Sequence, residues 1–245
     1  MYYKSDLIMN KTHKKWRSPS LGKDMNMDIY GTSGTPILAL PTRGQKRTQW
    51  EEFGMVDAIS HQLDNGFNQL FCIDSIDEES FLNESIEPVK RLIRHRQFEL
   101  FVIEEVIPCI HDVNDIDFII IAGTDLGGYH AVNLALKHPA KFGKAIGISG
   151  VYDIKYFMDG YYDEDVYYNN PVDFMPNLSK KELLFKIREV DFRLVSYTAD
   201  PHKDETIRMG DVLRLKFVEH KLDIWDLEGK NEWYLWQQML KTHII

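Results

Sequence analysis

Short apolar segments alternate with longer segments of helical periodicity along most of this chain. The apolar segments cover residues 36–40, 69–73, 118–122, 144–148 and 192–197. Continuous apolar runs of this length are typical of strands covered on both faces, as in a parallel sheet. The spacing predicts helices over 49–63, 86–111, 126–138, 180–189, 204–219 and 232–243. The alternation predicts an α/β fold with a mostly parallel central sheet and helices on both faces.

Two parts of the chain depart from this alternation. Between Trp16 and Tyr30 apolar and polar residues alternate one by one, which predicts an antiparallel hairpin at the edge of the sheet. Residues 151–179 form a polar stretch rich in tyrosine and aspartate. We expect this stretch to be a cap or lid with an aromatic side that faces a ligand. It would be inserted within one domain that spans residues 1–245.

Composition argues against several classes of function. The chain has 29 Lys and Arg against 38 Asp and Glu, a formal charge of -9, so nucleic acid is not an expected partner. No apolar stretch approaches the roughly 18 residues of a membrane-spanning helix, and no apolar signal segment is visible. A soluble, cytoplasmic protein is therefore predicted. Cys72 and Cys109 are the only cysteines, and no metal or cofactor motif is present, so neither group is expected.

The segment 118–139 is the strongest candidate for chemistry. An apolar strand is followed by the sequence Gly123-Thr-Asp125-Leu126-Gly127-Gly128 and then by an amphipathic helix. Gly-x-Asp-x-Gly has the layout of a nucleophile elbow, a turn so tight that the flanking residues must be almost without side chains. The alternative is an ordinary strand-to-helix loop in which Asp125 caps the helix.

From about Trp16 to the C-terminus, the sequence resembles the esterase D and mycolyltransferase-like branch of the α/β-hydrolase superfamily. The matching segments are Pro41-Thr-Arg43-Gly44, Cys72-Ile-Asp74-Ser75, the helix around 91–108, the turn at Asp125, the segments 148–153 and 166–171, and Asn231-Glu232-Trp233-Tyr-Leu-Trp236. The resemblance implies an α/β-hydrolase fold with a triad in the chain order Ser, acid, His. It also implies oxyanion-hole donors at Arg43, Gly44 and Leu126.

Carried onto this chain, two of the three triad roles fall on residues that cannot perform them. Asp125 stands at the serine position and Asn231 at the histidine position, while Asp200, or alternatively Asp204, stands at the acid position. An amide neither accepts nor returns a proton near neutral pH. Asn231 therefore removes the base needed for serine chemistry and for hydrolysis of an aspartyl ester. His202 is the candidate stand-in.

The paired replacement suggests a static polar cluster in place of a triad. We expect the Asp125 carboxylate to lie in the oxyanion hole, beside the amide of Leu126 and those of the Arg43 and Gly44 region. The Asn231 amide would donate a further hydrogen bond to it.

Three functions remain open at this point. The first is a catalytically degenerate esterase homologue that binds a small-molecule ligand or a protein partner. The second is a hydrolase of ester or related bonds that uses Asp125 and His202. The third is a structural subunit with a vestigial pocket. A homo-oligomer is one possibility that the sequence leaves open.

Overall fold

One eight-stranded sheet organises the computed structural model, which describes residues 10–226 and 231–245. Its strands are β1 (Lys11–Ser18), β2 (Lys23–Tyr30), β3 (Thr35–Leu40), β4 (Asn68–Ile73), β5 (Ile120–Thr124), β6 (Lys144–Ile148), β7 (Asp191–Tyr197) and β8 (His220–Trp225). Their spatial order is β1-β2-β4-β3-β5-β6-β7-β8. Pairing is antiparallel from β1 to β4 and parallel from β4 to β8. The predicted mostly parallel sheet is confirmed.

Helices connect the strands on both faces of the sheet. They are α1 (Gln49–Glu52), α2 (Met55–Ala58), α3 (Ser60–Asp64), α4 (Pro88–Phe101), α5 (Ile107–His111), α6 (Leu126–Lys137), α7 (Glu164–Asn169), α8 (Pro171–Asn177), α9 (Lys181–Ile187), α10 (Lys203–Leu215) and α11 (Glu232–His243). A π-helical turn, Val102–Val106, joins α4 to α5. Within the described ranges, no helix has the length and apolar character needed to cross a membrane.

Two sequence predictions about these elements need correction, and one strand was not predicted. The helix predicted over 49–63 is broken into α1, α2 and α3; Gly54, in a left-handed conformation (φ 71°), separates α1 from α2. The helix predicted over 204–219 ends at Leu215, and β8 follows it unpredicted. Residues of β8 are only partly buried, because the strand pairs on one side alone. It therefore has no continuous apolar run that would mark it in the sequence.

The sheet separates two apolar layers. Neighbouring residues of each central strand point to opposite faces, so that Leu38 joins one layer and Ile37 the other. The first layer is covered by α4, α6 and α10, and the second by α2 and α11. On α11, Trp236 and Met239 are buried in the second layer, and Trp233 is partly buried against it.

Residues 151–179 are built into the body of the molecule. Phe174 and Met175 of α8 belong to the first apolar layer. Ile154, Phe157 and Val166 form a separate buried cluster with residues of α4 and α6. The segment is therefore anchored by its own apolar side chains, and its role as a lid stays a prediction.

A backbone contact fixes how β5, α6 and the end of β3 meet. A Cβ atom on Gly127 would lie 2.2 Å from the Pro41 carbonyl oxygen, and one on Gly123 would lie 2.2 Å from the Gly127 carbonyl oxygen. Neither position has room for a side chain, because the opposing atoms are backbone. The glycines of the motif are therefore required by close packing at this turn.

We expect Gly127→Ala to lower the free energy of unfolding by about 3 kcal/mol, because the methyl group forces β3 and α6 apart. Denaturant-induced unfolding measures the change. The matched control is Gly22→Ala, where φ is 67° and no atom lies within 4 Å of an added Cβ. That variant should lose only about 1 kcal/mol, the cost of a left-handed alanine. Equal losses in the two variants would contradict this account of Gly127.

Candidate functional site

Asp125 is the single residue between β5 and α6, and its backbone is strained. Its φ of 55° and ψ of -121° are rarely adopted by residues with a side chain. The Asp125 amide donates to the Ile148 carbonyl at 2.9 Å, and its carbonyl accepts from the amides of Gly128 and Tyr129. Asp125 is the N-cap residue of α6, as the alternative predicts, but its side chain makes no capping hydrogen bond to the helix.

The carboxylate of Asp125 is held by Arg43. The Arg43 Nε donates to Oδ2 at 2.6 Å, Nη2 donates to Oδ1, and the Arg43 amide donates to Oδ2 at 3.3 Å. This is a two-pronged, charge-assisted pair, and the hydrogen bond to Asp125 raises the pKa of Arg43. The sequence hypothesis considered only backbone donors near Arg43, whereas its side chain makes the main contacts.

The other two expected oxyanion-hole donors are not used by Asp125. The Gly44 amide donates to Oδ2 of Asp77 at 3.2 Å. Within the part of the chain that the structure describes, no hydrogen bond joins the amide of Leu126, which is fully buried, to the Asp125 carboxylate. The loop 41–44 thus contributes Arg43 to Asp125, while Gly44 ties the loop to Asp77.

Behind this loop lies a buried histidine–carboxylate contact that no sequence motif indicates. His130 Nε2 lies 2.9 Å from Asp77 Oδ1, and both side chains are almost fully buried. Burial raises the pKa of Asp77, but the charge of His130 and its hydrogen bond outweigh that effect and the pKa is lowered. The pair connects α6 to the segment that supports Gly44.

Of the two candidates for the acid position, only Asp200 lies in the site. Its buried carboxylate accepts hydrogen bonds from the Ser196 hydroxyl at 2.6 Å and the His202 amide at 2.8 Å. The side chain of Asp204 is 93% exposed and lies near Lys203.

His202 reaches the same site, as its position two residues after Asp200 predicts. Its Nε2 lies 3.3 Å from Nη2 of Arg43, and its Nδ1 lies 3.3 Å from Oε1 of Glu205. The hydrogen bond to Glu205 raises the pKa of His202, and partial burial opposes that rise. Both ring nitrogens therefore face other side chains, and neither contacts Asp125.

The expected hydrogen bond between Asn231 and Asp125 is not formed among the residues that the structure describes. The Asn231 Oδ1 accepts from the Trp233 amide at 2.9 Å and caps α11. A short polar side chain at a helix start satisfies an unpaired amide close to it in the chain, which explains the difference. The hypothesis of an Asp125–Asn231 cluster is wrong in this respect.

The residue after Asn231 enters the site in its place. Glu232 Oε1 accepts from the Tyr197 hydroxyl at 3.0 Å. Burial raises the pKa of Glu232, and the charges of Asp200 and Asp125 raise it further. The sequence analysis did not assign Glu232 a role, although the closing motif placed it next to a predicted position.

An open cleft of about 390 Å³ lies above these side chains. Its lining consists of Thr42, Arg43, Gln45, Gln49, Phe53, Asp125, Ser149, Asp200, Pro201, His202, Glu232, Trp233 and Trp236. The rings of Phe53 and Trp233 stack at 4.3 Å between centroids, and Trp236 meets Trp233 edge-on at 4.8 Å. We call these three rings the aromatic wall.

No residue of 151–179 is among those that line the cleft. Of the four tyrosines expected to face a ligand there, which are Tyr161, Tyr162, Tyr167 and Tyr168, the last two line a separate groove with Leu136 and Phe174. The aromatic side of the cleft therefore comes from the segment after α1 and from α11. Tertiary packing, not the composition of the insertion, decides which rings reach the site.

Comparisons with known proteins agree with this architecture. The family model described as "Putative esterase" matches residues 18–244. Similar solved structures include a ferulic acid esterase, with 16% identity and a TM-score of 0.76 over 96% of this chain and 95% of that one. An S-formylglutathione hydrolase from Agrobacterium tumefaciens has 14% identity and a TM-score of 0.74, with 97% and 96% covered.

A third similar structure is MPT51 (FbpC1) from Mycobacterium tuberculosis, with 17% identity and a TM-score of 0.70 over 95% of this chain and 96% of that one. No curated protein sequence matches this chain significantly. At these identities the structures show the fold alone. The predicted α/β-hydrolase fold is confirmed.

Because the backbone of Asp125 is strained, we expect glycine at this position to give a more stable protein than alanine. Asp125→Gly and Asp125→Ala both remove the pair with Arg43, but only glycine adopts φ 55° without strain. We expect the glycine variant to be more stable by about 1 kcal/mol, measured by denaturant unfolding.

The same two exchanges at Asp211, which is exposed in α10 and pairs with Arg214, provide the control. There alanine should be the more stable by about 1 kcal/mol, because glycine weakens a helix. The same order at both positions would contradict the strain at Asp125.

The pair of Glu205 with His202 predicts a change in titration. The pKa of His202 is raised in the folded protein, so the pair adds stability below the unfolded value of about 6.5 and loses it as pH rises through the folded pKa. Glu205→Gln should lower the pKa of His202 in an NMR titration of the ring protons. Asp204→Asn, a change of the same charge at the exposed neighbour, should leave it unaltered. An unchanged pKa in Glu205→Gln would refute the assignment.

Proposed function

The chain belongs to the esterase family, and we propose that it is a catalytically degenerate member whose cleft binds a small-molecule ligand or a protein partner. In this proposal the turn at Asp125 corresponds to the family's nucleophile elbow. The strained φ of Asp125 and the close packing at Gly123 and Gly127 support that correspondence. Asp125 then occupies the position of the nucleophile.

The observation that carries the proposal is the pairing of Asp125 with Arg43. A carboxylate nucleophile must leave its ground-state partners to reach an electrophilic carbon. Here both oxygens of Asp125 accept hydrogen bonds from the guanidinium, and Oδ2 also accepts from the Arg43 amide. This pairing stabilises the carboxylate in its resting state and so raises the barrier to attack.

The second step of a hydrolytic cycle, in which water cleaves the ester formed with the protein, also has no free side chain to act as its base among the described residues. Cleaving an aspartyl ester needs a side chain that accepts a proton from water. Asn231 is the cap of α11, and the Nε2 of His202 faces Nη2 of Arg43. We infer that, among the described residues that line the cleft, no side chain is placed to activate water beside Asp125.

One observation favours a second candidate function. His202 lies in the cleft with Glu205 at its Nδ1, an arrangement in which an acid orients a histidine. If Arg43 moved away from Asp125, then Asp125 and His202 would form the site of an ester hydrolase with an altered mechanism. The open cleft argues against the third reading, a structural subunit with a filled pocket. A cytoplasmic location stays a prediction.

Hydrolysis of p-nitrophenyl acetate separates the two leading functions. We expect the wild type to release p-nitrophenol no faster than Asp125→Asn, because Asp125 is held by Arg43 and no base is available. Saturable turnover by the wild type that is lost in Asp125→Asn and in His202→Gln would overturn the binding role and establish an aspartate-dependent hydrolase. Asp204→Asn, at an exposed position, is the control for nonspecific effects.

The double variant Asp125→Ser with Asn231→His tests the assignment of the triad positions. We expect it to gain at least about tenfold in rate over the wild type, because the two missing roles are restored near Asp200. Asp125→Ser alone should stay at the wild-type level.

A further inference from the structure

The positive charge of Arg43 in the cleft is neutralised by Asp125, a residue of the same chain. Among the residues that the structure describes, Arg43 is the only lysine or arginine that lines the cleft, and its guanidinium is paired with Asp125. A carboxylate or phosphate ligand would have to displace a carboxylate that is tethered beside Arg43 at high effective concentration. The site is therefore poorly suited to an anionic ligand.

Two carboxylates of the cleft have no cationic partner of this kind. Asp200 is buried, with 6% of its surface exposed, yet it accepts only from a neutral hydroxyl and an amide. Glu232 accepts from the hydroxyl of Tyr197. Among the described residues, no lysine or arginine forms a salt bridge with either one. Glu232 is exposed, whereas Asp200 is buried, and burying an anion without a counter-charge is unfavourable.

The local potential at Glu232 is negative. Its pKa is raised by burial and by the nearby charges of Asp200 and Asp125, against which His202 acts in the opposite direction. The whole chain has a formal charge of -9, which attracts cations over a longer range. A ligand with a positive charge would relieve the repulsion that these carboxylates exert on one another.

The cleft is also lined by the aromatic wall of Phe53, Trp233 and Trp236. Trp233 follows Glu232 directly in α11, so one helix start supplies both a carboxylate and a ring. Aromatic rings attract alkylated ammonium groups through the negative potential of the ring face and through apolar contact. Such a group loses less hydration energy on binding than a bare ammonium ion.

We propose that this cleft binds an organic cation of the alkylammonium class, held by Glu232 and Asp200 beside the aromatic wall. The proposal names the ligand class of the site, and it rests on the binding role proposed above. In this proposal the Asp125 carboxylate occupies the place beside the Arg43 guanidinium that an anionic ligand would need, and so selects against anionic ligands.

Three probes of similar shape and different charge test the proposal by calorimetric titration. They are choline, its neutral carbon analogue 3,3-dimethylbutan-1-ol, and the anion 3,3-dimethylbutanoate. We expect choline to bind at least about tenfold more tightly than the neutral analogue, and the anion not to bind. Glu232→Gln should weaken choline binding at least about fivefold. Glu182→Gln, on the exposed side of α9, changes the net charge equally and should have no effect.

A second variant tests the role given to Asp125. Asp125→Asn leaves the Arg43 guanidinium without its carboxylate, so 3,3-dimethylbutanoate should bind the variant although it does not bind the wild type. Trp233→Leu should weaken choline binding, and both variants can be checked for folding by their unfolding curves.

Several outcomes would overturn the proposal. The first is that choline does not bind, and the second is that the wild type binds the anion and choline with equal affinity. The third is that Glu232→Gln and Glu182→Gln lose choline affinity equally. The same protein samples are assayed with p-nitrophenyl acetate. Absent choline binding without ester turnover rejects only the ligand class, whereas ester turnover dependent on Asp125 rejects the binding role itself.

Discussion

The contact between the backbones of β3, β5 and α6 is the constraint on which the site depends. Gly127 lies against the carbonyl of Pro41, and Gly123 lies against that of Gly127. Because nothing separates these backbones, Asp125 must make the whole turn alone and adopts a strained conformation. The same contact brings the loop after β3 next to the turn. Arg43 can therefore reach the Asp125 carboxylate with both its side chain and its amide.

The loop is also anchored from behind. The Gly44 amide donates to Asp77, which is paired with His130 of α6 in the interior. His130 in turn packs near the rings of Phe81 and His95, and burial lowers the pKa of His95 to about 3. Arg43 is thus presented to Asp125 from a loop whose neighbouring residue is tied to the core. Because the loop is anchored in this way, the packing of the fold holds Arg43 in position beside Asp125.

The distribution of charge in the cleft follows from that pair. Once Arg43 is neutralised by Asp125, the remaining charges are mainly negative, at Asp200 and Glu232. A serine hydrolase must accommodate a developing negative charge in its active site. In this cleft the cationic side chain of Arg43 is already paired with the Asp125 carboxylate. The arrangement is consistent with loss of the family's chemistry and with a ligand of the opposite charge.

The sequence by itself determined the sheet as far as β7 and the position of the turn at Asp125. These features depend on local patterns: continuous apolar runs, helical spacing and glycines at fixed separations. It also placed Asp200 and His202 in one region, because both follow the same strand.

Only the tertiary structure decided which side chains meet. Asn231 caps its own helix by accepting from the Trp233 amide, and Glu232 lines the cleft instead. Arg43 and Asp125 are 82 positions apart in the chain, so no local pattern predicts their pairing. Contacts of that kind depend on how loops pack against the sheet, and the sequence does not specify that packing at short range.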